Sequence, residues 1–305
     1  VTTAGEITAG ARERIAAHLV GRERELELTL AAVAAGRDIV LEGPPGTSKT
    51  TILQAITGEW GIPLVFVEGN ADLTPAKLVG HHNPARVLRE DYSADNFVEG
   101  PLVEAMRTGG FLYIEEFNRA PEDTLNTLLT AMADRSIAVP RVGTIAALPT
   151  FRVVASMNPY DNVGTTRLST SMHDRLNRLE ISYQDEQAEH GIVALRTGAE
   201  GEFGERLIAD AVAVARATRR HPDVRQGSSV RGAIDCTMIA LELAGLRGIA
   251  GADAEEYPEL VHDAMIVSLS GRIHVDEAAE TTPERVLREI WEDRFILEPR
   301  AAAPG

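Results

Sequence analysis

The chain has 305 residues, enough for two domains and a buried core, and its 44% hydrophobic and 25% charged residues are the composition of a globular protein. No apolar run reaches the roughly 18 residues of a membrane span. The N-terminus lacks a basic stretch followed by an apolar one, a lone cysteine excludes an internal disulfide or a multi-cysteine metal site, and together these features favour the cytoplasm. A net charge of −16 argues against a protein that wraps a nucleic-acid backbone, because such binding draws its affinity from a basic footprint.

Residues 22–35 carry Leu26, Leu30, Val33 and Ala34 at helical spacing and stop at Gly36. Apolar strands are predicted at 38–42, 63–68, 111–115, 151–156 and 178–182, with helices near 49–58, 101–108 and 121–134 between them. Strands alternating with helices give an α/β fold, a parallel sheet covered on both faces. The helix at 121–134 opens with Pro121, Glu122 and Asp123 and places Leu125, Leu128, Leu129 and Met132 on one face. Residues 80–100 are polar and loop-like, and 136–150 read as a hairpin turning at Pro140-Arg141-Val142-Gly143.

Beyond about residue 183 the strand pattern stops, and helices near 184–197, 203–220, 228–245, 258–272 and 283–296 take over. A nucleotide-binding domain of residues 1–183 and a smaller all-helical domain of 184–305 are expected, with the last seven residues frayed. Cys236 falls among apolar helical residues and reads as an inert core thiol. Arg216, Arg219, Arg220 and His221 read as a solvated helix face.

Gly43-Pro44-Pro45-Gly46-Thr47-Ser48-Lys49-Thr50 lies between the strand Ile39-Val40-Leu41 and the helix beginning Thr51-Ile52-Leu53. Nucleotide phosphates need backbone N–H donors, a helix N-terminus behind them and a cation near the β/γ oxygens. Gly43 and Gly46 allow close backbone approach, Lys49 supplies the charge, and Thr50 offers a hydroxyl to Mg²⁺. A plain turn before a helix carries the same glycines, but strand, Lys-Thr pair and helix in register favour a loop that binds ATP or GTP. Ser48 stands where the general pattern has its second glycine.

The strand Phe111-Leu112-Tyr113-Ile114 ends in Glu115 and Glu116. Carboxylates at a strand's C-terminal end, beside a phosphate loop, can hold Mg²⁺ and polarise an attacking water. Glu116 is the candidate for the water and Glu115 for the metal side, where an aspartate is more usual. Asn158 ends the next strand, and its amide can both donate and accept near a γ-phosphate. Arg175 and Arg178 precede the last strand as candidates for transition-state charge, a contribution worth about 10³–10⁵ in rate. Arg231, where a helix of the second domain begins, is a further nucleotide candidate.

This set, together with the run Glu116-Phe117-Asn118-Arg119-Ala120-Pro121 and the Gly-Ser-Ser-x-Arg sequence ending at Arg231, resembles the MoxR family of AAA+ ATPases over roughly residues 20–235. The resemblance implies a P-loop AAA+ αβα sandwich followed by a helical lid. It gives Gly43 to Thr51 to the phosphates, Thr50 and Glu115 to Mg²⁺, Glu116 to the water and Asn158 to the sensor role. It makes Arg175 the finger offered to a neighbouring subunit, Arg231 a second sensor and Asn70 the restraint on Glu116. Residues 80–100 correspond to the clade's helix insert.

The implied activity is Mg²⁺-dependent ATP hydrolysis by a ring, a hexamer in this family. That ring acts as a chaperone-like remodeller or metal-cofactor-insertion motor with a protein client or a von Willebrand factor A domain adaptor supplied in trans. A nucleic-acid motor or restriction-type GTPase, and a nucleotide-switched scaffold with little turnover, are the competing classes.

Overall fold

The computed structural model describes residues 9–17, 19–85, 94–159, 165–166 and 168–297. The chain divides into two compact units, residues 1–182 and 183–305. Strands of the first unit are β1 (Ile39–Glu42), β2 (Leu64–Glu68), β3 (Gly80–His82), β4 (Phe97–Glu99), β5 (Phe111–Glu115), β6 (Ser136–Val139), β7 (Gly143–Ala146), β8 (Arg152–Met157) and β9 (Asn177–Glu180). Five of them form one parallel sheet in the order β2-β5-β8-β1-β9. Ile39 of β1 lies opposite Val154 of β8 and Asn177 of β9.

Alternation along these strands sends successive side chains to opposite faces. Ile39, Leu41, Phe111, Tyr113 and Val154 join Leu30 and Ile52, from the helices Glu23–Ala34 and Lys49–Trp60, in one core. Val40, Leu112, Ile114, Val153 and Ala155 join Met106 and Leu128, from the helices Pro101–Thr108 and Glu122–Asp134, in the other. Burial on both faces is why these strands read as continuous apolar runs and not as alternating ones.

Two local features differ from the sequence expectation. β9 runs Asn177–Glu180, starting one residue and ending two residues earlier than the predicted strand, and Arg178 lies on it and not before it. The stretch 80–100 is more than a loop: β3 and β4 pair antiparallel, Gly80 opposite Glu99 and His82 opposite Phe97. Its middle, residues 86–93, lies outside the described residues. Three-residue strands carrying His81, His82 and Glu99 show no apolar alternation that could announce them. The expected hairpin at 136–150 is formed by β6 and β7, with Val139 opposite Gly143.

The second unit consists mainly of the helices Glu186–Thr197, Gly201–Thr218, Val230–Arg247, Tyr257–Leu269 and Pro283–Glu292 around a core that includes Val212, Cys236, Leu260, Met265 and Leu287. To these it adds a short antiparallel ribbon, β10 (Val224–Gln226) with β11 (His274–Val275). Burial pushes the Cys236 thiol up to about 12, in keeping with an inert core cysteine.

Arg216 and Arg219 do not form a solvated face. They donate to the carboxylate of the buried Glu189 at 2.9 and 2.7 Å, and the Arg219 guanidinium lies 3.9 Å from the centre of the Tyr183 ring. A buried carboxylate demands such partners, and two arginines one helical turn apart supply them. No helix among the described residues is long and apolar enough to cross a membrane.

Candidate functional site

β1 is buried at every position and ends in Glu42, after which the chain turns through the phosphate loop into the helix Lys49–Trp60. A side chain at Gly43 is impossible, because its first carbon would lie 2.0 Å from the Ile181 carbonyl oxygen. Gly46 and Ser48 both have positive φ, 75° and 65°. The left-handed turn at Ser48 explains why glycine is the general choice there, since a non-glycine residue in that conformation costs about 1–2 kcal/mol.

The Lys49 ammonium is buried within the loop, donating to the carbonyls of Gly43 and Pro44 at 2.8 Å each and lying 3.4 Å from Thr47 Oγ1. Thr47 in turn donates to the Pro44 carbonyl at 2.9 Å. First-turn N–H groups of the helix behind, from Lys49, Thr50 and Thr51, have no intrahelical acceptor and form the anion-binding end.

Adjacent strands bring the remaining candidates of this unit to the same end of the sheet. Glu115 closes β5, Glu116 follows it, and Asn158 is the first residue past β8, the strand between β5 and β1. Glu116 has φ 51°, a left-handed turn that leaves its carboxylate half-exposed at the strand end. Such conformations concentrate at functional sites. Its carboxylate pairs with Arg119 at 3.1 Å.

Among the described residues Asn70 makes no hydrogen bond to Glu116, the partner the resemblance implied. Its side-chain oxygen accepts from the Asp72 N–H at 2.9 Å, and its amide donates to the Glu68 carbonyl at 3.3 Å. An Asx turn has taken the amide the expectation assigned elsewhere.

Thr50 Oγ1 lies 3.5 Å from Glu115 Oε1 and 3.2 Å from the Tyr113 hydroxyl, which lies 3.0 Å from Ser156 Oγ. Burial raises the Tyr113 hydroxyl above its ordinary pKa and keeps it protonated. Two oxygen donors side by side, a hydroxyl and a carboxylate, suit a hard cation such as Mg²⁺.

The two arginines separate clearly. Arg178 is bound to the carboxylate of Glu42, which is only 8% exposed at the mouth of the phosphate loop. Arg175 is exposed at the end of the helix Thr170–Arg175 and, among the described residues, donates to the Ser171 carbonyl of its own helix at 3.2 Å. Two residues later β9 starts opposite Ile39, whereas the phosphate loop leaves β1 after Glu42. Arg175 therefore sits beyond the opposite end of β1, roughly 10 Å or more from its own loop at the usual rise per strand residue. Arg231 is exposed in the first turn of the helix Val230–Arg247, within the second unit.

Tyr113, Ser156 and Glu42 were not singled out for the site by sequence reasoning, and Arg119 entered only as part of the run Glu116 to Pro121. A phenol in the middle of an otherwise apolar strand, and an acid ending another, were the available signals.

A five-stranded parallel sheet with a phosphate loop after one central strand and an acid pair after another defines a P-loop αβα fold of the AAA+ type. The sequence matches the family described as AAA domain (dynein-related subfamily) over residues 38–176. The gas vesicle ATPase GvpN of Ancylobacter aquaticus is 27% identical over 292 residues, spanning 89% of this chain and 79% of that protein. Protein CbbQ of Hydrogenophilus thermoluteolus is 30% identical over 198 residues, spanning 64% of this chain and 71% of its own length. Among solved structures, NtrX from Brucella abortus in complex with ADP has a TM-score of 0.56 at 21% identity, covering 92% of this chain and 63% of that one, a likeness of fold. The chain belongs to the MoxR family of AAA+ ATPases.

Proposed function

We propose that this protein is a Mg²⁺-dependent ATPase that works as a ring, with the catalytic arginine of one copy completing the site of the next. The observation that carries the reading is the convergence, at the ends of three neighbouring strands, of the phosphate loop, Glu116 and Asn158. Gly43 to Thr51 wrap the phosphates, the non-proline residues among them supplying N–H donors, and Lys49 exchanges its carbonyl partners for phosphate oxygens. Thr50 and Glu115 would hold Mg²⁺, whose charge would offset that of the β/γ oxygens.

Glu116 leaves Arg119 and accepts a proton from a water that Asn158 helps to orient. The water oxygen bonds to the γ-phosphorus as the bond from that phosphorus to the β,γ-bridging oxygen breaks. ADP departs with the bridging oxygen. Arg175 of a neighbouring copy compensates charge on the transferring group, and the family resemblance gives Arg231 the role of second sensor.

By the family resemblance, turnover drives remodelling of a protein client in the cytoplasm, through a von Willebrand factor A domain adaptor engaged by the insert around residues 80–100. The same resemblance suggests a hexamer. A metal-cofactor-insertion role is one form of this activity.

The test uses nucleotide binding and phosphate release side by side. Lys49→Ala is expected to lose ATP binding at least tenfold, because phosphate charge goes uncompensated. Glu116→Gln is expected to keep binding while turnover falls at least 100-fold, because the amide keeps shape and loses basicity, an effect on the order of general-base catalysis. Equal turnover by Glu116→Gln and the unaltered protein overturns the assignment.

A further inference from the structure

We infer that Tyr113 is a positioning residue for the divalent-cation site, its hydroxyl aiming the one free lone pair of the Thr50 hydroxyl; this rests on Thr50 and Glu115 acting as proposed above. Tyr113 stands mid-strand on β5, fully buried, on the sheet face it shares with Phe111, Val154 and Ile52. A phenol in such a core needs partners for its polar tip. It finds Thr50 Oγ1 at 3.2 Å and Ser156 Oγ at 3.0 Å, while its ring meets Phe66 edge-on at 5.7 Å between centres.

Making all three contacts hydrogen bonds at once requires the protons to run in one direction. Each hydroxyl has one proton and two lone pairs, and an ionised carboxylate only accepts. Glu115 Oε1, 3.5 Å from Thr50 Oγ1, is the terminus. Thr50 gives its proton to Glu115, Tyr113 gives its proton to Thr50, and Ser156 gives its own to Tyr113. Three of the four tetrahedral positions around Thr50 Oγ1 are then taken, by Cβ, by its proton and by the Tyr113 donor. A single lone pair is left, in a direction set by a ring that packing holds still. Without the phenol hydroxyl Thr50 has two lone pairs free and only its long 3.5 Å contact to Glu115 to orient it, so a cation must do more of the ordering on binding.

Tyr113→Phe removes one oxygen and keeps the ring. With the full chain and a fluorescent ATP analogue, Mg²⁺ is titrated and binding followed by anisotropy. The Mg²⁺ concentration at half-saturation is expected to rise about fivefold, the size of one neutral hydrogen bond, while binding in EDTA stays the same. Ser156→Ala, which leaves Tyr113 its donor role, should shift the midpoint in the same direction by less.

An unchanged midpoint in Tyr113→Phe overturns the inference. So does equal weakening with and without Mg²⁺, which marks a structural role, or a larger shift in Ser156→Ala than in Tyr113→Phe. Should the unaltered protein bind no nucleotide, the reading of the site itself falls, and this inference with it.

Discussion

Arg175 and Arg178 lie three positions apart and carry the same charge, but their surroundings give them different work. Arg178 is the partner of Glu42, a carboxylate buried at the entrance to the phosphate loop. Arg175 is exposed and held by nothing beyond its own helix among the described contacts. Arg178→Ala should therefore cost stability, about 1–2 kcal/mol for a buried acceptor left unpaired, read as a lower midpoint in urea. Arg175→Ala should leave the midpoint unchanged within about 0.5 kcal/mol, as surface substitutions do. A reversed order of the two midpoints would contradict the assignment. Sequence alone left the choice between these arginines open, because the buried partner that separates them lies 136 positions away on another strand.

Among elements, legibility followed burial. β1, β5 and β8 were readable because both of their faces are covered, so each is a continuous apolar run. The ribbons β3–β4 and β10–β11 are two or three residues per strand, too short to show a period. The gathering of the motif residues Lys49, Thr50, Glu115, Glu116 and Asn158 at one end of the sheet was likewise legible. Tyr113 and Arg119 were not, since their relevance comes from contacts across strands and turns.

The second unit holds its own buried charge. Asp210, fully buried in the helix Gly201–Thr218, accepts from Arg206 Nε, the Tyr257 hydroxyl and Arg294 Nε, each at 2.8 Å. It ties that helix to the helix Tyr257–Leu269 and to the turn Asp293–Leu297. Asp210→Ala leaves two guanidinium groups and a phenol without their acceptor. The expected loss is about 3–5 kcal/mol, the cost of breaking a buried pair, measured by urea denaturation of the full chain. A loss under about 1 kcal/mol would mean that water or other side chains replace the carboxylate.

At the scale of the molecule, the distance between Arg175 and its own phosphate loop is the feature that asks for a second copy. A single chain places the base candidate and the arginine at opposite ends of the sheet, which is the arrangement the proposed ring, with its site shared between two copies, requires. No sequence pattern within one chain can display that arrangement. The most direct measurement is phosphate release from MgATP by the unaltered protein, by Glu116→Gln, by Arg175→Ala, and by the two variants mixed in equal amounts. The account predicts turnover by the unaltered protein, little from either variant, and recovered activity in the mixture, where an intact Glu116 meets an intact Arg175 across an interface. Normal turnover by Arg175→Ala, or a mixture no more active than its components, would contradict it.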